Sequence, residues 1–226
     1  MKPATKISPK IAIDGPAGAG KSSVAREVAR RLNLKYLDTG AMYRAITLKV
    51  IQKNLDIKDT EALDRVLAET EIQLGEDNKV FMDGQDITED IRSAQVNELV
   101  SPVSCISSVR RNLVSMQQTI ANQSEGIIME GRDIASRVMP DADYKIYLDA
   151  SIDERAKRRC REQLEKGIDL SLKEVATEIE KRDKIDSQRA DSPLTIVPDA
   201  IVVDTSKMSF GEVVDMIIKI TNEGTR

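Results

Sequence analysis

The stretch that most restricts how this chain can fold is IAIDGPAGAGKSSVA, residues 11–25. An apolar run of strand length gives way to a turn of small residues, and a helix-like pattern resumes behind a lysine and two serines. Gly15, Gly20, Lys21 and Ser22 match G-x-x-x-x-G-K-[ST] between a predicted strand and a predicted helix, the context this motif requires. The glycines let successive N–H groups turn inward toward phosphate oxygens. The helix adds its positive end, Lys21 a mobile charge, and Ser22 a hydroxyl able to ligate Mg²⁺. The same stretch serves hydrolytic timers, motors and enzymes that pass a phosphoryl group to a metabolite, so the loop alone leaves the phosphate's destination open.

The chain's 226 residues suffice for a sizeable core and favour one α/β domain with insertions over two independent domains. The 34 Lys and Arg against 38 Asp and Glu give a net charge of −4, so no global basic field draws in nucleic acid, and any clustered arginines need a local explanation. Histidine is absent, which excludes an imidazole general base, phosphohistidine chemistry and His-ligated metal. Cys105 and Cys160 lie far apart with no CxxC spacing, which argues against structural zinc or a disulfide framework. The N-terminal MKPATKISPK has no apolar leader core, and no segment approaches the ~18 apolar residues of a membrane span. The expectation is a cytoplasmic protein with no membrane or nucleic-acid partner.

Apolar runs ending in acidic or small polar residues recur as KIAIDG, KYLDTG, GIIMEGRD, KIYLDAS and AIVVDTS. Each has the length of a strand buried on both faces, and helical patterns separate most of them, which predicts a parallel sheet with crossover helices. Ligands in such sheets gather beyond the carboxyl ends of the strands. Between about residues 70 and 90 the pattern alternates around turn clusters at Gly75–Asn78 and Asp83-Gly84 and predicts a small antiparallel hairpin. Residues 151–191 read as two charged helices broken near Gly167.

The strand ends continue into residues suited to a second anion. LDTGAMYRA places Asp38, Thr39, Tyr43 and Arg44 past the second run, and MEGRD places Glu130, Arg132 and Asp133 past the third, where a glycine allows close approach and Arg132 can grip a phosphate bidentately. Taken singly, each arginine also suits a surface ion pair. Arg155, Arg158 and Arg159 are spaced i, i+3, i+4, and Arg182, Asp186 and Arg189 are spaced i, i+4, i+7, so each set can share one helix face. Those faces suit either a solvated charged surface or a mobile flap that brings positive charge to a transferring phosphoryl group and excludes water.

In order along the chain, GPAGAGKSS, YLDTGAMYR, IRSAQV, EGRD, MPDA, IYLDAS, ERAKRR and EIEKRD resemble the bacterial-type cytidylate kinases, from residue 11 to about residue 205. The resemblance implies an α/β P-loop NTPase fold: a five-stranded parallel sheet flanked by helices, a small antiparallel β insertion in a monophosphate-binding domain, and a helical lid. Its units are a core of residues 1–38, 105–150 and 192–226, a monophosphate-binding domain of 39–104 and a lid of 151–191. It implies an ATP- and Mg²⁺-dependent transfer to CMP or dCMP, by a monomer. ATP would occupy Gly15, Pro16, Ala17, Gly18, Ala19, Gly20, Lys21, Ser22 and Ser23, with Ser22 on the metal. Ser101, Arg110 and Asp133 would read the cytosine, and Arg182 and Asp186 the sugar. Arg44, Arg132 and Arg189 would clamp the acceptor phosphate beside Tyr43, Asp38 and Thr39, while Arg158 and Arg159 close on ATP. Lys21, Arg132, Arg158, Arg159 and Arg189 are the expected catalytic residues.

The chain departs from the family pattern at Glu130, where Asp is usual, at Thr39, where Ser is common, and at Ala135-Ser136, where Gly-Thr is usual. An acceptor phosphate with a second pKa of about 6 needs no general base, in keeping with a chain that has no histidine. Three rival readings differ in what they predict. A kinase of another small metabolite shares the loop but not YLDTGAMYR with EGRD. A nucleotide-hydrolysing switch predicts slow hydrolysis without an acceptor effect, and no N-K-x-D signature supports it. A nucleic-acid module would use the arginine-rich helices, against an acidic net charge and 3% aromatic residues.

Overall fold

In the computed structural model, residues 8–75, 78–165 and 167–223 are described. The first strand, β1 (Lys10–Asp14), leads through the glycine-rich turn into α1 (Lys21–Leu32), followed by β2 (Lys35–Asp38) and α2 (Thr39–Gln52). Next come α3 (Thr60–Glu69), the short strands β3 (Ile72–Leu74), β4 (Val80–Met82) and β5 (Gln85–Asp86), then α4 (Ala94–Ser104) and α5 (Ser107–Gln123). The chain re-enters the main sheet as β6 (Ile127–Gly131) and β7 (Tyr144–Asp149), leaves through α6 (Ile152–Leu164) and α7 (Leu172–Gln188), and ends with β8 (Ile201–Asp204) and α8 (Phe210–Glu223).

The five predicted runs are the five strands of a parallel sheet in the order β2-β6-β1-β7-β8. Its register sets Asp14 opposite Gly131, Asp38 opposite Glu130 and Asp149 opposite Asp204, so the acidic strand ends form one row. Side chains alternate across it: Ala12, Ile127 and Met129 join the apolar cluster under α2 to α5, whereas Ile11, Ile13 and Ile128 join the one under α1 and α8. This is the P-loop NTPase architecture, with both faces covered as an all-parallel sheet demands.

The alternating segment forms a three-stranded antiparallel sheet, β3-β4-β5, one strand more than the expected hairpin. Asp83 and Gly84, at φ 52 and 78, make the two-residue turn between β4 and β5, and positive φ at both central residues matches the twist of a hairpin. Of the other expected turn, Glu76 and Asp77 lie outside the described residues, as do the outermost residues 1–7 and 224–226 of the proposed core unit. Val80 and Met82 point into the cluster that also contains Leu37 and Met129, so the insertion shares its core with the main sheet.

The two predicted charged helices are α6 and α7. Ser151 caps α6 by accepting the Glu154 N–H at 3.3 Å, and Asp153 and Glu154 complement the positive end of its dipole. Among the described residues, the apolar core between the two helices consists of Ala156, Val175 and Ile179, with Cys160 and Ala176 partly buried against it. At roughly 1.5–3 kcal/mol for a fully buried side chain of Val or Ile size, this small core leaves the pair's placement dependent on polar joints to the rest of the molecule. Among the described residues, no helix is long and apolar enough to cross a membrane.

Candidate active site

The turn after β1 wraps as the motif predicts. Gly15, Gly18 and Gly20 adopt φ of 152, 77 and 88. No side chain caps α1 at Gly20, so the first-turn N–H groups have no intrahelical acceptor and face the cradle. Lys21 is buried, and its Nζ donates to Pro16 O at 2.8 Å. Burial, with Arg132 and Arg182 nearby, pushes its ammonium well below the ordinary lysine range.

Across the cradle the Ser22 hydroxyl donates to Glu130 Oε1 at 2.5 Å. Glu130 is buried at the end of β6, and burial together with Asp38 raises its carboxyl. This substituted position therefore sits against the glycine-rich turn, beside Ser22 and Lys21. The hydroxyl and carboxylate are hard oxygen groups of the kind Mg²⁺ takes alongside substrate phosphates, so the residues fit the expected metal. Thr39, the first residue of α2, donates to Glu130 O at 2.7 Å, and Asp38 caps that helix at Ala41 N, 3.1 Å.

On the far side, arginines and carboxylates alternate. Arg110 Nη2 reaches Asp133 Oδ2 at 2.5 Å, and Arg189 Nη2 lies 3.5 Å from Asp133 Oδ1. Arg189 Nη1 is 3.9 Å from Asp186 Oδ1, whose other oxygen accepts from Arg132 Nε at 2.8 Å. Burial alone would raise Asp186, but Arg132 and Arg182 hold it below the usual carboxylate range. Arg189 is not the third member of a helix face: it adopts extended φ/ψ just past α7, with Nε donating to Ser192 O at 2.7 Å. Its place in the network comes from this turn rather than from helical spacing.

Other predicted residues lie on α2, α4 and α7. Arg44 donates to Asn97 Oδ1 at 2.6 Å and Ile91 O at 3.2 Å, and burial with Arg159, Arg92 and Arg132 lowers it to about 10, still charged at neutral pH. Arg182 is likewise lowered to about 10 by burial and Arg132, and its Nε is buried without a hydrogen-bond partner among the described residues. Tyr43 lies under the Arg110 guanidinium at 5.3 Å, its hydroxyl similarly unpartnered and raised by burial. Ser101 stands on α4, and its carbonyl accepts from Ser104 Oγ at 2.8 Å.

The arginines of α6 do not form one face toward solvent or substrate. Arg155 turns inward and is buried, Arg158 donates to Thr205 Oγ1 at 3.0 Å and Thr205 O at 2.7 Å, and Arg159 pairs with Glu162 at 3.7 Å. Arg155 bonds the cradle backbone directly, its Nη1 donating to Ala17 O at 2.9 Å, and Arg158 comes within 3.8 Å of where a Cβ on Gly20 would stand.

Sequence reasoning passed over Asp14 at the end of β1. Its two carboxylate oxygens accept from Ile134 N at 2.9 Å and Ala135 N at 2.8 Å, pinning the segment that carries Arg132 and Asp133. The acidic residue ending the run was the available signal; its partner, 120 residues away, was not. Arg92 and Asn97 were missed as well, and only their neighbourhood with Arg44 brings them in.

The family model for cytidylate kinases matches residues 11–223. A cytidylate kinase of Caldanaerobacter subterraneus subsp. tengcongensis is 46% identical over 220 residues, covering 97% of each chain. One from Bacillus pumilus is 48% identical over 211 residues, 92% of this chain and 93% of that one. A solved structure of an uncharacterized Eubacterium ventriosum protein aligns with a TM-score of 0.52 at 14% identity, over 96% of this chain and 99% of the other, a likeness of fold. A glycine-rich cradle facing a bank of buried arginines, on a chain matched from end to end at this level, places the protein in the cytidylate kinase family.

Proposed function

We propose that this chain transfers the γ-phosphoryl group of ATP to CMP or dCMP, yielding ADP and CDP or dCDP, within pyrimidine nucleotide metabolism. The observation that carries the reading is the row of strand ends, where the cradle of Gly15–Ser23 faces Arg44, Arg132, Arg182 and Arg189 across Lys21 and Glu130. Two polyanions meeting there need cations between them and little else, because phosphoryl transfer depends on positioning and charge.

In this reading the loop amides and Lys21 hold the donor phosphates, while Ser22 and Glu130 hold Mg²⁺. When bound there, Mg²⁺ would supply neutralising charge to the donor phosphates. Arg44, Arg132 and Arg189 orient the acceptor phosphate beside Tyr43, Asp38 and Thr39. Arg182 and Asp186 take the sugar, Ser101, Arg110 and Asp133 read the cytosine, and Arg158 and Arg159 close on ATP. Residues 39–104 serve as the monophosphate-binding domain and 151–191 as the lid on a core of 1–38, 105–150 and 192–226. The enzyme works as a cytoplasmic monomer, with no membrane or nucleic-acid partner.

The deciding experiment is ADP release from Mg·ATP with CMP, dCMP, UMP, AMP or shikimate as acceptor. Stimulation by CMP and dCMP well above the rest is expected. Equal rates with and without every acceptor would refute the reading in favour of a hydrolytic switch.

A further inference from the structure

Two side chains with no role in the reading above tie the phosphate loop to both helices that roof it. Arg155, in the first turn of α6, donates from Nε to Ala150 O at 2.9 Å and from Nη1 to Ala17 O at 2.9 Å. The same Nη1 lies 2.6 Å from Asp183 Oδ2 on α7, and Asp183 Oδ1 accepts the Ala17 N–H at 3.1 Å. Both backbone polar groups of one loop residue are thus held by side chains, one from each helix. The adjoining Gly18 fits closely beneath: a Cβ there would come within 3.2 Å of Arg155 Cβ.

A pair serving only to dock α6 on α7 would need no third partner. Here the third partner is the loop backbone, and Arg155 is nine-tenths or more buried against it. The small apolar core between the helices makes such joints decisive for where the pair sits. Asp183 also follows directly on Arg182 and lies three residues before Asp186, which holds Arg132 at 2.8 Å. One helix therefore touches the loop through Asp183 and the arginine bank through its neighbours.

We infer that Arg155 and Asp183 are positioning residues that fix the crown of the phosphate loop and, through α7, transmit its loading with nucleotide to the acceptor-side residues Arg182 and Asp186. The inference rests on the assignment of the loop to ATP and of the arginine bank to CMP. Neither residue touches a reacting atom. A shift of the loop on phosphate binding moves Ala17, and the doubly held Ala17 moves α7.

The test uses the full chain as wild type, Asp183→Ala, Asp183→Asn and Arg155→Lys, with calorimetric affinities for Mg-bound β,γ-imido ATP and for CMP, the latter with and without saturating analogue. Asp183→Ala is expected to weaken the analogue about tenfold, the equivalent of ~1.4 kcal/mol. It should leave CMP affinity measured alone within about twofold and bring the enhancement of CMP binding by the analogue close to one. Asp183→Asn keeps an acceptor for the Ala17 N–H without the charge, and partial recovery of the enhancement is expected. A merely structural pair would shift melting temperature without changing that ratio. The inference is overturned if the folded variants keep wild-type analogue affinity and enhancement, or if wild type shows no enhancement. Should Asp183→Ala not fold, the near-isosteric Asp183→Asn and Arg155→Lys decide the matter by the same ratio. A wild type that binds neither nucleotide overturns the functional assignment itself, and this inference with it.

Discussion

Arg110 and Asp133, 23 positions apart, meet in a buried ion pair with Nη2 and Oδ2 at 2.5 Å and side-chain exposures of 2% and 6%. Asp133 holds Arg110 here, and in the proposed reading it would also offer an acceptor to the exocyclic amino group of the nucleobase.

Asp133→Ala is accordingly expected to cost about 3–5 kcal/mol of stability, because it strands a buried guanidinium whose Nε has no hydrogen-bond partner among the described residues. Urea unfolding measures the loss. The ratio of kcat/KM for CMP over UMP should fall in parallel. Replacing both partners, as Arg110→Met with Asp133→Leu, should recover most of the stability and none of the base discrimination. An unchanged CMP:UMP ratio in Asp133→Ala would dismiss the base-reading role.

Arg132 is held through Nε by Asp186 at 2.8 Å, and in the proposed reading its guanidinium would also grip the acceptor phosphate. Arg132→Ala is expected to lower kcat about 10²–10³-fold, the usual scale for losing one charge-stabilising donor, and to raise KM for CMP while sparing affinity for the ATP analogue. Steady-state kinetics with CMP varied, together with calorimetry of the analogue, distinguish this from general damage.

Asp14 yields a pH prediction. Burial raises its carboxyl from 3.8 to about 6, against the two backbone N–H bonds that act the other way. Between those values the folded chain holds a proton that the unfolded chain has lost. Its contribution to stability is thus complete below about 3.8 and disappears as pH rises through 6, with a slope of at most ~1.4 kcal/mol per pH unit. In Asp14→Asn this slope is absent. The stability of the variant relative to wild type should therefore improve between pH 4 and pH 7, whatever fixed penalty the lost hydrogen bond imposes. Parallel pH curves for the two proteins would count against it.

Gly15→Ala addresses the loop's entry. A Cβ at this residue, whose φ is 152, would overlap the carbonyl oxygen of Leu148 in the adjacent strand β7, a backbone atom that cannot swing aside. A destabilisation of about 3 kcal/mol or more is expected, at or beyond the usual upper range for overpacking. Thermal unfolding tests it, and an unchanged midpoint would contradict the close approach.

Much of this molecule was legible from short windows. The loop at 15–22, the five strand runs and the two charged helices announce themselves through glycine placement, apolar run length and capping residues, all of which act over a few positions. The third strand of the small sheet was not legible, because β5 is only Gln85–Asp86, both exposed, and carries no apolar pattern. Arg155 read as one of three arginines sharing a helix face, either solvated or carried on a flap; its inward turn depends on acceptors at Ala17 and Asp183, 138 and 28 positions away.

By itself the sequence determined that a phosphate cradle would form between β1 and α1 and that cations would gather past the neighbouring strand ends. Those outcomes follow from backbone freedom, local periodicity and the register of a parallel sheet. Which donor meets which carboxylate was decided only by the tertiary structure: Arg110 with Asp133, Arg132 with Asp186, Ser22 with Glu130, and the backbone of Ile134 and Ala135 with Asp14. Ion pairs and hydrogen bonds have no sequence period. Their partners are chosen by the packing of two sheet faces and two roofing helices that bring distant segments within about 3 Å, the range at which a buried charge is satisfied.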